Sequence, residues 1–255
     1  MSSVACSEQY ARDYIKPLGV LMALLSKPGK NFFVADLHHP GGPHTEIDQL
    51  FDEMPPDTKQ IFLLGDTFHF WINDGRFIRD RYGEFLIRLQ GYAERGIDIF
   101  FLEGNRDFLA TAYLQHVLYI HHLPNPSLME IGGRIVYIGH GDELCWSDWA
   151  YQIYKTVIRS RAIRLIADYL PRPLLTHVAQ RMTEASASVV AGKPRRVLEV
   201  PHRAYRSIIE SGIDVIIHGH VHDTYQREYV VGGRKGTVYA FGWKDGKRNV
   251  IYFDG

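Results

Sequence analysis

Polar side chains that can bind metal ions stand at the ends of five apolar runs of the sequence. The five motifs read ADLHH (35–39), LLGD (63–66), EGNRD (103–107), IGHGD (138–142) and HGHVH (218–222). Carboxylate, imidazole and amide oxygen groups in combination suit Mn²⁺, Fe²⁺ or Zn²⁺. The candidate ligands are too many for one ion, but they suit two ions about 3.5–4 Å apart that share a bridging carboxylate. The candidates are Asp36, His38, Asp66, Asn105, His140, His220 and His222, and His218 is expected to support the ligands rather than to bind metal.

The elements that must position these groups are short strands. Near-continuous apolar runs at 31–36, 60–66, 98–105, 134–142 and 214–222 are typical of strands buried on both faces. Helices are predicted at about 44–53, 79–95 and 201–211, and strands that alternate with helices indicate an α/β layered domain. The stretches YQREYVV, GTVYAF and NVIYF are predicted to be closing strands. Because sites form at the carboxyl ends of strands in such sheets, the five motifs are expected to meet.

The composition is that of an ordinary globular protein. The 255 residues are 45% hydrophobic and 23% charged, which suits one large domain or a domain with an insertion. Cys6 and Cys145 stand far apart and suggest no disulfide framework, which fits a reducing compartment. The formal net charge is zero, so no overall field favours nucleic acid as a partner. The apolar run at 17–26 is too short to cross a bilayer, and the start of the chain is predicted to form a helix at about 8–26.

Residues 143–200, named the insertion below, differ from the rest of the chain. They show helical spacing, which Pro171 and Pro173 divide in two, and they lie between two predicted strands. Between 149 and 196, nine Lys and Arg residues stand against two acidic residues, so this stretch carries +7 and the remainder of the neutral chain −7. The insertion is therefore predicted to be a basic, amphipathic helical segment.

The motif order D-x-H, GD, GN, GH and H-G-H-x-H resembles the calcineurin-like metallophosphoesterases over about 31–253. The resemblance implies an α/β fold, a four-layer αββα sandwich (31–255) with a helical insertion. Residues 1–30, which have no counterpart in the short family members, are predicted to be an N-terminal helical extension. The resemblance also implies two divalent metal ions, with Mn²⁺ the expected metal, and catalytic roles for Asn105, Arg106 and His140. One ion would be held by Asp36, His38, Asp66 and His222, and the other by Asp66, Asn105, His140 and His220, so that Asp66 bridges them.

Arg106 follows the Gly-Asn pair, where many members of the superfamily carry a histidine. A histidine there can protonate a leaving alkoxide, whose conjugate acid has a pKa like that of water, about 15.7. A leaving phosphate monoester, with a second pKa of about 6, can depart without a proton. It brings extra negative charge, which a planar guanidinium binds well. Arg106 therefore favours a phosphoanhydride substrate; the alternative is a structural ion pair with an acid such as Asp107.

Four stretches resemble the UDP-2,3-diacylglucosamine hydrolase family of lipid A synthesis: GDTFHFWIND (65–74), GNRDF (104–108), GHGDELCWSDWAYQIYK (139–155) and RMTEASASVVAGK (181–193). The resemblance implies cleavage of an acylated UDP-sugar lipid, UDP-2,3-diacylglucosamine, to UMP and 2,3-diacylglucosamine 1-phosphate. His69, Asn73 and Val190 depart from the family pattern, which leaves a related nucleotide-diphosphate lipid open as the substrate. By position in the motifs, the substrate contacts would be Arg106, Asp148, Tyr151, Ser186, Lys193 and His220.

The insertion is expected to form a lid over the acyl chains. Its basic residues, with Trp146 and Trp149, are expected to contact an anionic membrane, which places the protein on the cytoplasmic face of the inner membrane. The alternative for this segment is a solvated basic face on a structural pair of helices. Two other functions stay open: a soluble nucleotide or phosphoprotein phosphatase of the same superfamily, and a binding scaffold on an inactive phosphoesterase fold. No protein partner is inferred.

Overall fold

The computed structural model describes residues 29–145, 149–171, 173–178, 181, 199–221, 224–242 and 250–254. The helix predicted at about 8–26 therefore lies outside the described residues. The same holds for Trp146, Asp148, Ser186, Val190, Lys193 and His222. Within the described ranges, no helix is both long enough and apolar enough to cross a membrane.

The strands of the described residues form two five-stranded sheets. The first contains β1 (Lys30–Val34), β2 (Thr58–Leu64), β3 (Asp98–Leu102), β4 (His121–Leu123) and β10 (Val250–Asp254), in the order β10-β1-β2-β3-β4. Strands β1 to β4 are parallel, and β10 is antiparallel to β1. The parallel arrangement directs the carboxyl ends of β1, β2 and β3 to one edge of the sheet.

The second sheet contains β5 (Ser127–Ile131), β6 (Arg134–Gly139), β7 (Val215–His218), β8 (Tyr225–Val231) and β9 (Arg234–Ala240), in the order β5-β6-β7-β9-β8. Its three central strands are parallel, and β5 and β8 are antiparallel edge strands. Gly139 pairs with His218, so β6 and β7 end side by side. This register brings the GHGD and HGHVH motifs together.

The two sheets pack against each other across an apolar core, as alternation of buried side chains on strands requires. Phe33 and Phe62 of the first sheet lie in one cluster with Val136, Ile138 and Ile217 of the second. The opposite faces of both sheets are also apolar, which explains the near-continuous hydrophobic runs in the sequence.

Helices cover both outer faces. On the first sheet, α1 (Thr45–Asp52), α2 (Gly75–Glu94) and α3 (Ala110–Leu118) contribute buried side chains to the cluster that contains Phe32 and Leu63. On the second, α6 (His202–Glu210) contributes Tyr205 and Ile208 to the cluster that contains Ile216. The predicted αββα sandwich is therefore confirmed. Helix α3 and strands β4 and β5 were not predicted.

Local capping sets where the helices begin. The side chain of Asp74 accepts a hydrogen bond from the Phe77 amide at 2.8 Å, which satisfies one of the free N–H groups at the start of α2. His44 does the same for α1 through the Ile47 amide. The loop that follows the LLGD motif ends at α2, so the capped start of this helix fixes the position of one end of the loop.

Two helices of the insertion are described, α4 (Trp149–Ile158) and α5 (Arg161–Tyr169), and residues 173–178 are also helical. The Ser160 side chain caps α5 by accepting from the Ile163 amide. Both helices leave large apolar side chains exposed, among them Val157 and Ile166. These helices therefore do not bury their apolar stripes fully against the sandwich.

Candidate active site

The predicted ligands lie where strands of both sheets end. Asp36 and Asp66 follow β1 and β2 by two residues, and Asn105 follows β3 by three. His140 comes directly after β6, and His220 follows β7 by two residues. Backbone hydrogen bonds connect these loops: the Asp36 amide donates to Gly65 O at 3.1 Å, and the Gly219 amide donates to His140 O at 2.9 Å. The site is therefore built from the edges of two sheets at once.

The backbone is strained where the candidate ligands sit. Asp36, His38, Asp66 and His220 have φ angles of 53°, 45°, 48° and 69°. The left-handed region is uncommon for residues other than glycine and costs on the order of 1–3 kcal/mol for each residue. Among the described residues, Tyr119, which ends α3, is the one other non-glycine case. Strain concentrated in this way is typical of functional sites.

Three of the candidate ligands form a compact cluster. One ligand atom from each of Asp36, Asp66 and His140 lies within 4.8 Å of the other two, and all three residues are buried. His140 Nδ1 donates to Leu64 O at 2.8 Å, which fixes the tautomer and leaves Nε2 able to bind a cation. Nε2 of His140 is buried and has no hydrogen-bond partner among the described residues. This geometry fits a metal ligand.

The electrostatics of the cluster also suit cations. Burial disfavours the charged form of His140, but Asp142, Asp66 and Asp36 outweigh it and raise its pKa to about 8. Burial opposes ionisation of Asp66 as well, yet His140, His38 and Arg106 lower its pKa to about 2. Converging carboxylates therefore favour positive charge at this position, and divalent ions would supply it. The donor set and charge fit a divalent metal centre.

The remaining described ligands lie next to this cluster. His38 donates its amide proton to Asp66 O at 2.8 Å. The amide of His220 donates to Asp36 Oδ2 at 2.7 Å, and the imidazole rings of His220 and His140 have centroids 5.1 Å apart. Asn105 donates its amide proton to Asp66 Oδ1 at 2.5 Å. His222 lies outside the described residues, so its ligand role stays a prediction.

Glycines allow the strand-end loops to approach each other. A Cβ atom on Gly104 would overlap the backbone nitrogen and the carboxylate of Asp66, and one on Gly65 would lie 2.6 Å from His140 Nδ1. The GD and GN pairs of the motifs therefore reflect close packing of loops beneath the ligands.

Gly104→Ala is expected to destabilise the protein by about 1–3 kcal/mol, because the overpacked methyl group must displace Asp66. Metal affinity should fall in the same variant. Gly91→Ala is the control, since Gly91 lies in α2 with no atom near the added methyl group. Denaturant unfolding and metal titration of both variants check this; equal stability and metal affinity for Gly104→Ala and wild type would contradict it.

Arg106 lies at the mouth of the cluster, with its Nε atom 3.9 Å from Asp66 Oδ2. The structural alternative was an ion pair with an acid such as Asp107. Arg106 lies within ion-pair distance of Asp66, whereas the buried Asp107 carboxylate accepts hydrogen bonds from the amides of Thr67 at 2.7 Å and Gly104 at 2.8 Å. Asp107 thus holds two ligand-bearing loops together, and the Arg106 side chain projects towards the cavity described below.

Asp142 is a site residue that the sequence analysis missed. Its buried carboxylate accepts from Lys155 Nζ at 2.8 Å, Tyr151 Oη at 3.0 Å and Arg159 at 3.3 Å. The three partners follow at intervals of four residues, which places Tyr151 and Lys155 on one face of α4 and Arg159 in line with them just after the helix ends. That spacing, after a motif aspartate, was a signal that sequence reasoning could have used. The result is that α4 is anchored directly beside the candidate metal ligand His140.

Tyr151 is the one predicted substrate contact on the insertion that the structure describes. Its ring lies 5.8 Å from the His220 ring, and its hydroxyl donates a hydrogen bond to Asp142.

His218 does not point into the cluster. Its ring forms a hydrogen bond with Tyr205 Oη at 2.7 Å and donates from Nδ1 to Gly219 O at 2.9 Å. It therefore supports the loop that carries His220, and its supporting role for the metal ligands stays a prediction.

An apolar cavity of about 360 Å³ lies beside the candidate site. Asn105 and Arg106 form part of its wall, and the rest comes from the sandwich and from the insertion helices. Its apolar lining includes Phe70, Trp71, Phe108, Val157, Ile163 and Ile166. The cavity thus joins polar groups suited to phosphate with walls suited to hydrocarbon.

Fold, strand-end ligands and motif order define the class of protein. A family model described as calcineurin-like phosphoesterase matches residues 31–224. The chain belongs to the calcineurin-like phosphoesterase family, whose members use divalent metals.

Within that family, the chain is similar to proteins named UDP-2,3-diacylglucosamine hydrolase. The one from Xanthomonas campestris pv. campestris is 31% identical, with 82% of this chain and 89% of the relative covered. The one from Nitrosococcus oceani is 30% identical, covering 85% and 88%. The one from Histophilus somni is 29% identical, covering 76% and 84%. The similarity spans most of both chains in each case.

Proposed function

We propose that this protein hydrolyses the pyrophosphate bond of UDP-2,3-diacylglucosamine and releases UMP and 2,3-diacylglucosamine 1-phosphate. The main support for this proposal is the cavity, because its apolar walls extend to Asn105 and Arg106. A lipid substrate could place hydrocarbon in the cavity and its phosphates at the metal centre. Relatives named for this hydrolase over most of the chain support the same substrate.

The proposed metal centre holds two divalent cations, with Mn²⁺ as the expected physiological metal. Asp36, His38, Asp66 and His222 would hold one, while Asp66, Asn105, His140 and His220 would hold the other. When bound, the cations would supply Lewis-acid stabilisation of the reacting phosphate and activation of the attacking water. The buried Asp36, Asp66 and His140 cluster supports this assignment.

The residues of the chain have separate tasks in the proposed reaction. The Leu64 carbonyl keeps His140 in one tautomer, and the amides of Asn105 and Arg106 hold Asp66 Oδ1 in place. Arg106 would bind the phosphate of the departing lipid, because its guanidinium borders both the cluster and the cavity. That phosphate leaves without needing a proton, so the site requires no general acid on the leaving side.

Arg106→Ala is expected to lower kcat/KM for UDP-2,3-diacylglucosamine about ten- to a hundredfold. The loss of hydrogen bonds to a charged phosphate costs roughly 1.5–3 kcal/mol, which corresponds to that factor. Arg106→Lys keeps the charge but not the planar fork, so it should be intermediate. Steady-state kinetics with a Mn²⁺ titration check this. If Arg106→Ala instead loses its metals, Arg106 has a structural role and the leaving-group argument fails.

Arg106 and His220 of the sandwich are proposed substrate contacts, and the insertion is proposed to be a lid that receives the acyl chains and adds the contacts Asp148, Tyr151, Ser186 and Lys193. Val157, Ile166 and Tyr169 are exposed on its helices, in a segment whose sequence carries +7 between 149 and 196. Apolar side chains and cations together suit the surface of an anionic membrane. We therefore propose a peripheral position on the cytoplasmic face of the inner membrane.

A substrate panel tests the proposal against its alternative, a soluble nucleotide or phosphoprotein phosphatase. Purified protein with Mn²⁺ would be offered UDP-2,3-diacylglucosamine, unacylated UDP-glucosamine, a nucleoside monophosphate and a phosphopeptide. The acylated substrate should be turned over with a kcat/KM orders of magnitude above the others, since each buried CH₂ contributes about 0.8 kcal/mol. Equal or faster turnover of the nucleotide or the phosphopeptide would favour the alternative.

A further inference from the structure

Arg159 brings a cation from the insertion into contact with a proposed metal ligand. It lies near the end of α4, and its side chain is only 14% exposed. One terminal nitrogen of its guanidinium lies 3.0 Å from Asn105 Oδ1, 3.3 Å from Asp142 Oδ2 and 3.5 Å from the Glu103 carbonyl. Nε of Arg159 is buried without a hydrogen-bond partner among the described residues. The guanidinium is thus held between the anchor of α4 and the loop that carries Asn105.

This contact matters because the side-chain amide of asparagine ends in two different groups, an oxygen and an NH₂ group. Its oxygen can bind a metal ion and its NH₂ group cannot, yet the two have nearly the same size. A guanidinium has only donors, so the bond to Arg159 requires that the oxygen of Asn105 points towards it. A carbonyl oxygen has two lone pairs, and Arg159 occupies one of them. The other stays available to a cation from a fixed direction.

We propose that Arg159 is a positioning residue for the metal centre: it holds the Asn105 amide in the orientation in which Oδ1 can bind metal. The inference rests on the proposed ligand role of Asn105. Asp142 makes the arrangement rigid, because the same carboxylate also binds Lys155 and Tyr151 of α4. The insertion would then contribute to the metal centre as well as to substrate binding, and docking of α4 and metal affinity would be coupled.

Arg164 provides a matched control on the same segment. Like Arg159, it joins the insertion to the loop after β3. Its Nη2 atom lies 3.0 and 2.8 Å from the two Glu103 carboxylate oxygens, and its Nη1 atom lies 2.7 Å from the Phe108 carbonyl oxygen. It touches none of the proposed ligands in these contacts. If Arg159 served only to attach the insertion, Arg159→Met and Arg164→Met would have similar effects.

The test is a Mn²⁺ titration without substrate, in which electron paramagnetic resonance measures the concentration of free Mn²⁺. Arg159→Met should weaken one of the two Mn²⁺ sites ten- to a hundredfold, as expected for loss of a residue that orients a ligand. Arg159→Lys, which keeps a cationic donor, should recover part of that affinity. Arg164→Met should keep both sites within about twofold of wild type, and far-ultraviolet circular dichroism confirms that each variant is folded.

Each contrary outcome has a distinct meaning. Wild-type affinity in Arg159→Met would overturn the positioning role while leaving the proposed function intact. An equal loss in Arg164→Met would reduce Arg159 to an attachment point of the insertion and overturn the inference. A wild-type protein that binds no Mn²⁺ would overturn the proposed metal centre itself, and the inference with it.

Discussion

Asp66→Ala is expected to abolish hydrolysis and to remove at least one metal ion, while the protein stays folded. Asp66 is the proposed bridging ligand, and without its carboxylate two divalent cations would repel each other across the site. The variant also loses the acceptor for the Asn105 and Arg106 amides, so the loop after β3 loses one of its anchors. The three apolar clusters do not include Asp66, which is why the fold should persist.

Metal content, turnover and circular dichroism would be measured together on Asp66→Ala and two controls. Asp66→Asn keeps Oδ1 as an acceptor for both amides but removes the charge, so it separates loop support from metal binding and should also be inactive. Asp57→Ala removes a surface carboxylate that pairs with Lys30, and it should behave as wild type. Full activity with normal metal content in Asp66→Ala would remove Asp66 from the site.

Charges placed in the apolar cavity are expected to lower kcat/KM for the acylated substrate by at least about a hundredfold. The variant Val157→Asp/Ile166→Asp puts one carboxylate on each insertion helix where the side chain lines the cavity. Burial of an unpaired charge against an acyl chain costs several kcal/mol, so the loss should appear mainly in KM. Hydrolysis of a small activated phosphodiester, which has no acyl chain, should change little.

The chain offers a closely matched control for this pair. Ile153→Asp/Leu165→Asp carries the same charges on the same two helices, at positions that are 57% and 59% exposed and do not line the cavity. The cavity positions are similarly exposed, at 56% for Val157 and 52% for Ile166. A difference between the variants therefore reports the cavity rather than helix stability. The proposed acyl site would be contradicted if the two double variants lost the same activity on the acylated substrate. It would also be contradicted if Val157→Asp/Ile166→Asp lost as much activity on the small phosphodiester as on the acylated substrate.

The layered fold could be predicted because its strands are buried on both faces and therefore read as continuous apolar runs. Strand ends with charged or imidazole side chains were then visible in the sequence as site candidates. Helix α3 was missed although it has nine residues, because no side chain caps its start, and strands β4 and β5 were missed because short apolar segments do not separate helix from strand. The edge strand β4 has only three residues.

The parts of the site that could not be predicted depend on contacts between distant segments. Arg159 and Asn105 are 54 residues apart in the sequence, and nothing in either motif indicates that they meet. The cavity likewise combines Phe70 and Trp71 with helices that begin more than 70 residues later. Such contacts follow from the packing of α4 on Asp142, which the sequence indicates only through the spacing of Tyr151, Lys155 and Arg159.

The most direct test of the account is hydrolysis of UDP-2,3-diacylglucosamine in ¹⁸O-labelled water with Mn²⁺, followed by mass spectrometry of both products. With the lipid phosphate bound by Arg106 on the leaving side, as proposed, water should attack the phosphorus of the nucleotide. The expected products are UMP that carries one ¹⁸O atom and 2,3-diacylglucosamine 1-phosphate that carries none. Label in the lipid phosphate, release of UDP instead of UMP, or no turnover of this substrate would contradict it.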